Sequence, residues 1–190
     1  MSKGRLEAFS DGVMAIVITI MVLELRPPEG TELGDLAHLW PTFSSYLLSF
    51  ALLGTYWSNH HHLLQTARTV NGLVLWANLH LLFWLSLFPF GTAWIGETHF
   101  APVPVAAYAG LLLLAAIAYY GLVRALIRCP GQTSTLAEAV GADVKGKISP
   151  ILFAIAIPLA LVAPIASLAI CAAVVILWIV PDRRLERAVS

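Results

Sequence analysis

Residues 5–25 read RLEAFSDGVMAIVITIMVLEL. The stretch opens on charged and hydroxylic side chains, Arg5, Glu7, Ser10 and Asp11, and then runs almost purely apolar from Val13 to Leu23. At about 1.5 Å of rise per residue, about 20 helical residues span a bilayer core of roughly 30 Å. The run is longer than the core of a signal peptide, and Arg26, Pro27, Pro28 and Glu29 make a poor small-residue cleavage site. It therefore reads as a retained helix. An α-helix turns by about 100° per residue, which puts Ile16, Thr19, Ile20 and Leu23 on one face. Ser10 and Asp11 point mostly away from that face. The helix carries an apolar stripe with a single hydroxyl, and a separate polar cluster near its start.

The remainder of the chain agrees with a membrane location. Of 190 residues, 59% are hydrophobic and 12% charged, against about 45–50% and about 25% in a soluble domain. An all-α integral membrane protein is expected. The formal net charge is zero and no basic patch of the kind nucleic acid requires is present. Cys129 and Cys171 fall in different environments, a helix exit and an apolar span, and form neither a disulfide framework nor a metal motif.

Six membrane helices are expected, at about 6–25, 36–64, 70–95, 105–127, 148–162 and 165–180, all within one domain of residues 1–190. Pro89 interrupts the third, and Pro158 and Pro164 break the last apolar block into a hairpin. Residues 26–35 form a loop rich in proline, glycine and acid, and 135–144 a surface helix. With both termini in the cytoplasm, ten of the eleven Lys and Arg residues fall inside and only Arg26 outside. Positive charge is retained on the cytoplasmic side of membrane proteins. A five- or seven-helix count would expel Arg183, Arg184 and Arg187, so the charge pattern favours six.

Polar groups inside the apolar segments are costly, and in membrane helices they face the protein interior and pair. Asp11 lies about one turn inside the inner interface. It reads either as a local helix-start partner for Ser10 or as part of a network reaching Trp57, His60 and Asn78 on the second and third helices. Successive residues of His60-His61-His62 point about 100° apart, so the three rings cannot converge on one ion, and no zinc motif is present. No metal site is expected. His80 reads as a satisfied interior histidine, and His38 and His99 as outer-surface residues. Thr19 is expected to bond back to the carbonyl four residues earlier. No catalytic constellation, carbonyl selectivity filter or voltage-sensing arginine repeat is present.

Arg5-x-x-x-Phe9-Ser10-Asp11, with Ala15-Ile16, Thr19 and Leu23-Glu24-Leu25, resembles the signature first helix of the transmembrane protein 175 family. The likeness continues through Trp57-Ser58-Asn59-His60-His61, Asn78 and residues 86–90, and covers the second half by helix count only. That family comprises potassium channels of endosomes and lysosomes, with single-repeat bacterial relatives. The resemblance implies a homotetramer whose four first helices line a pore. It implies an apolar constriction at Ile16, further rings at Ile20 and Leu23, and a role for Thr19 in potassium preference. It also implies a network of Arg5, Phe9, Ser10, Asp11, Trp57, His60 and Asn78 that supports the pore helix. Potassium would be the permeant ion, with no cofactor and no enzymatic activity, in the cell membrane of a prokaryote. His62 extends the family's usual pair of histidines.

The residues themselves add that an apolar ring replaces none of an ion's hydration shell. A leak-like channel with modest preference for potassium over sodium is therefore expected. The alternatives are a proton or unselective monovalent-cation pathway through Asp11 and His60, an intramembrane metal-dependent enzyme built on the histidine run, and a structural membrane subunit.

Overall fold

The computed structural model describes residues 2–130 and 144–179. Their regular structure is helical throughout: α1 (Lys3–Leu23), α2 (Leu33–Ala37), α3 (Trp40–Thr66), α4 (Gly72–Ser86), α5 (Phe88–Glu97), α6 (Pro102–Ile127), α7 (Val144–Val162) and α8 (Pro164–Ile179). Four stretches are long and apolar enough to cross a membrane: Lys3–Leu23, Gly72–Glu97, Pro102–Ile127 and Lys145–Val162. Pro164–Ile179 is a shorter apolar helix. α3 has the length, at 27 residues, but carries serines, threonines, Asn59 and three histidines along it.

Local chemistry sets the boundaries. The second span, expected from residue 36, begins at Trp40 instead. Glu32 and Asp35 form a capping box that closes the separate five-residue α2, and Pro41 then occupies the first turn of α3, where its missing N–H leaves no bond unmade. The Asn71 side chain accepts from Val74 N at 3.0 Å and caps α4. The expected third span divides at Leu87 into α4 and α5. Pro89 has no N–H to donate and its ring excludes the carbonyl four residues back, so the helix must restart. α7 and α8 meet across Ala163 alone, within the hairpin break that the prolines predict. The surface helix expected over 135–144 lies, apart from Val144, outside the described residues, as do Arg183, Arg184 and Arg187.

The turn between α5 and α6 is conformationally costly. His99 and Phe100 both sit at positive φ, 52° and 62°, a region that costs a non-glycine residue of order 1–3 kcal/mol. Burial of the Phe100 ring against Trp40, with centroids 5.3 Å apart, offsets that cost.

α6 runs through the core. Tyr108, Ala109, Leu112, Ala115, Ala116, Ala118 and Leu122 are all buried, and the alanines let neighbouring backbones approach closely. Hydrogen bonds identify the two ends of the bundle. Lys3 Nζ donates to the Gln65 carbonyl at 3.0 Å, and Thr69 Oγ1 to the Pro130 carbonyl at 2.8 Å. The start of α1, the end of α3 and the end of α6 therefore share one end. At the other, a Cβ on Gly96 would stand 2.7 Å from Ser45 Oγ and 2.9 Å from Thr42 Cα. Only glycine permits that approach of α5 to α3.

Candidate pore-lining face

α1 presents two unlike faces. Leu6, Ser10, Met14, Val17 and Met21, spaced by three or four residues, are buried against the rest of the chain. Opposite them, Ile16, Ile20 and Leu23 are 58, 42 and 76% exposed, and Thr19 is exposed between them. Thr19 Oγ1 donates to the Ile16 carbonyl at 2.9 Å, three residues back where four was expected. Phe9 is also exposed. An apolar stripe of this kind is a surface still to be covered or wetted.

The buried face is held by a directed chain of hydrogen bonds. Asn78 Oδ1 can only accept, so His60 Nε2, 2.7 Å away, is the donor. Asn78 Nδ2 donates to Ser10 Oγ at 2.9 Å, and Ser10 Oγ donates to the Leu6 carbonyl at 2.9 Å. His60, Asn78 and Ser10 are all buried. Among the described residues no buried side-chain polar atom lacks a partner, which avoids the roughly 1–3 kcal/mol that an orphaned buried group costs. A second tie runs along the more exposed rim, where Trp57 Nε1 donates to Asp11 Oδ1 at 3.1 Å. The residues expected to support the helix thus divide into two ties, Ser10–Asn78–His60 and Asp11–Trp57. Arg5 is exposed and joins neither.

The three consecutive histidines turn to different partners. His60 engages Asn78, while His61 stacks on Trp57 with ring centroids 5.9 Å apart and lies 2.8 Å from Gln65 Nε2. The His62 ring tilts against His61. His80, expected inside the fold, is exposed, with Nε2 accepting from Trp84 Nε1 at 2.9 Å. The buried face of α4 is set by Val74, Asn78, Leu81, Leu82 and Leu85. His80, two residues from Asn78, is turned about 200° from it. His38 and His99 are exposed, and Cys129 and Cys171 are buried thiols.

A second buried polar group went unanticipated. Tyr108 OH and Ser49 Oγ are 2.7 Å apart. Thr92 Oγ1 lies 2.6 Å from Ser49 Oγ, 2.7 Å from the Phe88 carbonyl and 3.7 Å from the Met21 sulfur. Its one proton serves one of these at a time. The cluster sits behind the far end of α1, as Asn78 sits behind the near end. Its trace in the sequence is a hydroxyl on each of three separate segments, Ser49, Thr92 and Tyr108.

Residues 5–89 match the family model described as "Endosomal/lysosomal potassium channel TMEM175". Over its whole length the chain is 50% identical to a protein of Chryseobacterium sp. named a potassium channel, covering 99% of that protein. It is 35% identical over 96 residues, 44% of this chain and 20% of the other, to the human protein named an endosomal/lysosomal proton channel, TMEM175. The crystal structure of a lysosomal potassium-selective channel TMEM175 homolog from Chamaesiphon minutus superimposes with a TM-score of 0.79 at 28% identity, covering 99% of this chain and 98% of that one.

Proposed function

The chain belongs to the endosomal/lysosomal potassium channel TMEM175 family, and from that premise we propose that it is a multi-pass membrane protein conducting potassium passively. The observation that carries the reading is the division of α1. One face is tied down by Asn78, while Ile16, Thr19, Ile20 and Leu23 on the other touch nothing that would bury them. In the proposed assembly four copies bring these stripes together around an axis. α1, α3, the α4–α5 pair, α6, α7 and α8 are six crossings, with both termini on the cytoplasmic side of a prokaryotic cell membrane. Residues 1–190 act as one channel domain.

The mechanism follows from solvation. A ring of four Ile16 side chains offers an ion no oxygen to replace its water, so a narrow ring is a barrier that dewetting keeps closed. When the ring widens, a partly hydrated ion passes, and the cation that dehydrates most easily is favoured, which is potassium over sodium. The Thr19 hydroxyls, about one turn outward, supply some replacement oxygens and bind too weakly to trap the ion. Ile20 and Leu23 extend the apolar wall. Ser10, Asp11, Trp57, His60 and Asn78 hold the helix so that the stripe keeps its rotation, and Arg5 and Phe9 mark its inner mouth.

The name of the human relative, and the bond of Asp11 to Trp57 three residues before His60, favour a second reading, proton conduction. It predicts flux that follows a pH gradient and is abolished by Asp11→Asn. The test of the pore-lining face is thiol accessibility in a Cys129→Ser/Cys171→Ser background. Ile20→Cys is expected to conduct and to be blocked by a charged water-soluble thiol reagent. Full conduction after such treatment would overturn the assignment of this face.

A further inference from the structure

Hydrogen bonds from Lys3, Ser10 and Asp11 or to them tie the first half of α1 to its neighbours. The second half is held differently. Met21 is fully buried, and its sulfur lies 3.7 Å from Thr92 Oγ1 on α5. Two residues along a helix turn it by about 200°, so Met21 stands behind both Thr19 and Leu23. A push on Met21 from α5 therefore moves those two side chains away from the rest of the subunit.

The wall behind Met21 is braced on three helices. Tyr108 OH, Ser49 Oγ and Thr92 Oγ1 follow one another at 2.7 and 2.6 Å, and Thr92 Oγ1 also lies 2.7 Å from the Phe88 carbonyl. These contacts join α6, α3 and α5 at one buried point. Two glycines clamp α5 further. A Cβ on Gly91 would stand 3.0 Å from Tyr108 Cδ2 on α6, and one on Gly96 would stand 2.9 Å from Thr42 Cα on α3. The outer end of α1 has no such bracing. The chain leaves α1 after Leu23 in a loop, and α2 beyond it buries no residue. Protein interiors are close-packed, compress little and transmit strain. A change of volume at Met21 is therefore taken up by α1 and not by α5.

We propose that Met21 is a spacer that sets how far the outer half of α1 stands from the bundle, and through it the width of the pore at Leu23. It is a positioning residue, since it meets no ion and acts only through the opposite face of its own helix. The inference rests on the reading of the α1 stripe as the pore lining, and adds what fixes the width of that lining. Around the axis of four copies, a smaller side chain at position 21 lets the Leu23 side chains recede. A larger one drives them together.

The test reads spacing and flux separately. For spacing, Leu23→Cys in a Cys129→Ser/Cys171→Ser background is treated in liposomes with dibromobimane, a short bifunctional thiol reagent, and the rate of interchain cross-linking is measured. For flux, potassium and sodium uptake are compared with Leu23 intact. Met21→Ala is expected to slow cross-linking severalfold and to raise flux with weaker potassium preference. Met21→Phe is expected to speed cross-linking and to lower flux. Met21→Leu, a volume-conserving exchange, should leave both unchanged. Opposite signs for Ala and Phe separate spacing from mere loss of packing, which would move flux the same way in both. Should Met21→Phe fail to assemble, Met21→Ala against Met21→Leu decides by the same two readouts. A cross-linking rate unchanged across the series, or moved in one direction by both Ala and Phe, overturns the proposal. So does the absence of any interchain product in the parent protein, because the Leu23 positions would then not face one another. Absence of flux in the parent contradicts the potassium reading instead, and the cross-linking series still decides whether Met21 sets the spacing.

Discussion

Asn78 Nδ2 donates to Ser10 Oγ at 2.9 Å across 68 residues of sequence. That bond, continued by His60 on the other side of the amide, fixes the rotation of α1 about its own axis. Rotation decides which residues face outward, because a turn of about 100° carries one position onto the next. Ile16, Thr19, Ile20 and Leu23 are therefore presented as a consequence of what Ser10 touches.

Replacing Asn78 by Leu, close in shape but without polar atoms, strands His60 and weakens the hold on Ser10. A cost of roughly 1–3 kcal/mol is expected from orphaned buried groups, measured as lowered thermal stability of the detergent-solubilised protein. Ser10→Ala should cost less, since its partners lose one bond each. In a double-mutant cycle the two should couple by about 0.6 kcal/mol and at most about 1.7 kcal/mol, the range for hydrogen bonds between membrane helices.

At the far end, Thr92→Val keeps the shape of the side chain and removes the hydroxyl between Ser49 and the Phe88 carbonyl. Ser49 retains Tyr108 as a partner, so the expected loss is moderate, about 0.5–1.5 kcal/mol. Thermal unfolding of Thr92→Val beside Ser49→Ala checks the ranking. Ser49→Ala should be the worse, because it leaves the buried Tyr108 hydroxyl alone.

Gly96→Ala tests the contact of α5 with α3. The added methyl would stand 2.9 Å from the Thr42 backbone, which cannot swing away as a side chain tip can. Overpacking of this kind costs typically about 1–3 kcal/mol. Gly110→Ala on α6, where a Cβ would meet nothing within 4 Å, serves as the control and should be neutral or slightly stabilising.

Thr19→Val leaves the shape of the stripe and removes its one hydroxyl. Reversal-potential measurements should show potassium preference over sodium falling toward unity with conductance retained. Since Thr19 Oγ1 bonds only within its own helix, to the Ile16 carbonyl, stability should change by less than about 1 kcal/mol.

The separation of the two faces of α1 was legible in residues 5–25 because apolar and polar side chains recur there at helical spacing. Asn78 and His60 stood out because an amide and an imidazole inside apolar stretches require partners. The same argument misplaced His80. It lies two positions from Asn78, and an exposed imidazole can be satisfied locally by Trp84 without entering the core. Ser49 and Thr92 escaped notice because a hydroxyl in a membrane helix ordinarily satisfies itself on its own backbone, and only packing against Tyr108 makes them a cluster. Pro89 marked the interruption of the third span, but the restart falls at Leu87, since the proline constrains the residues before it.

The most direct test of the account is ion flux into liposomes carrying the purified protein, with potassium and sodium gradients compared for wild type and Ile16→Asn. The account predicts a small potassium flux that exceeds sodium flux in wild type. In Ile16→Asn, where a polar ring admits water to the constriction, it predicts a larger flux with weaker discrimination. Equal potassium and sodium flux in wild type, or no flux in either protein while both remain folded oligomers, would contradict it.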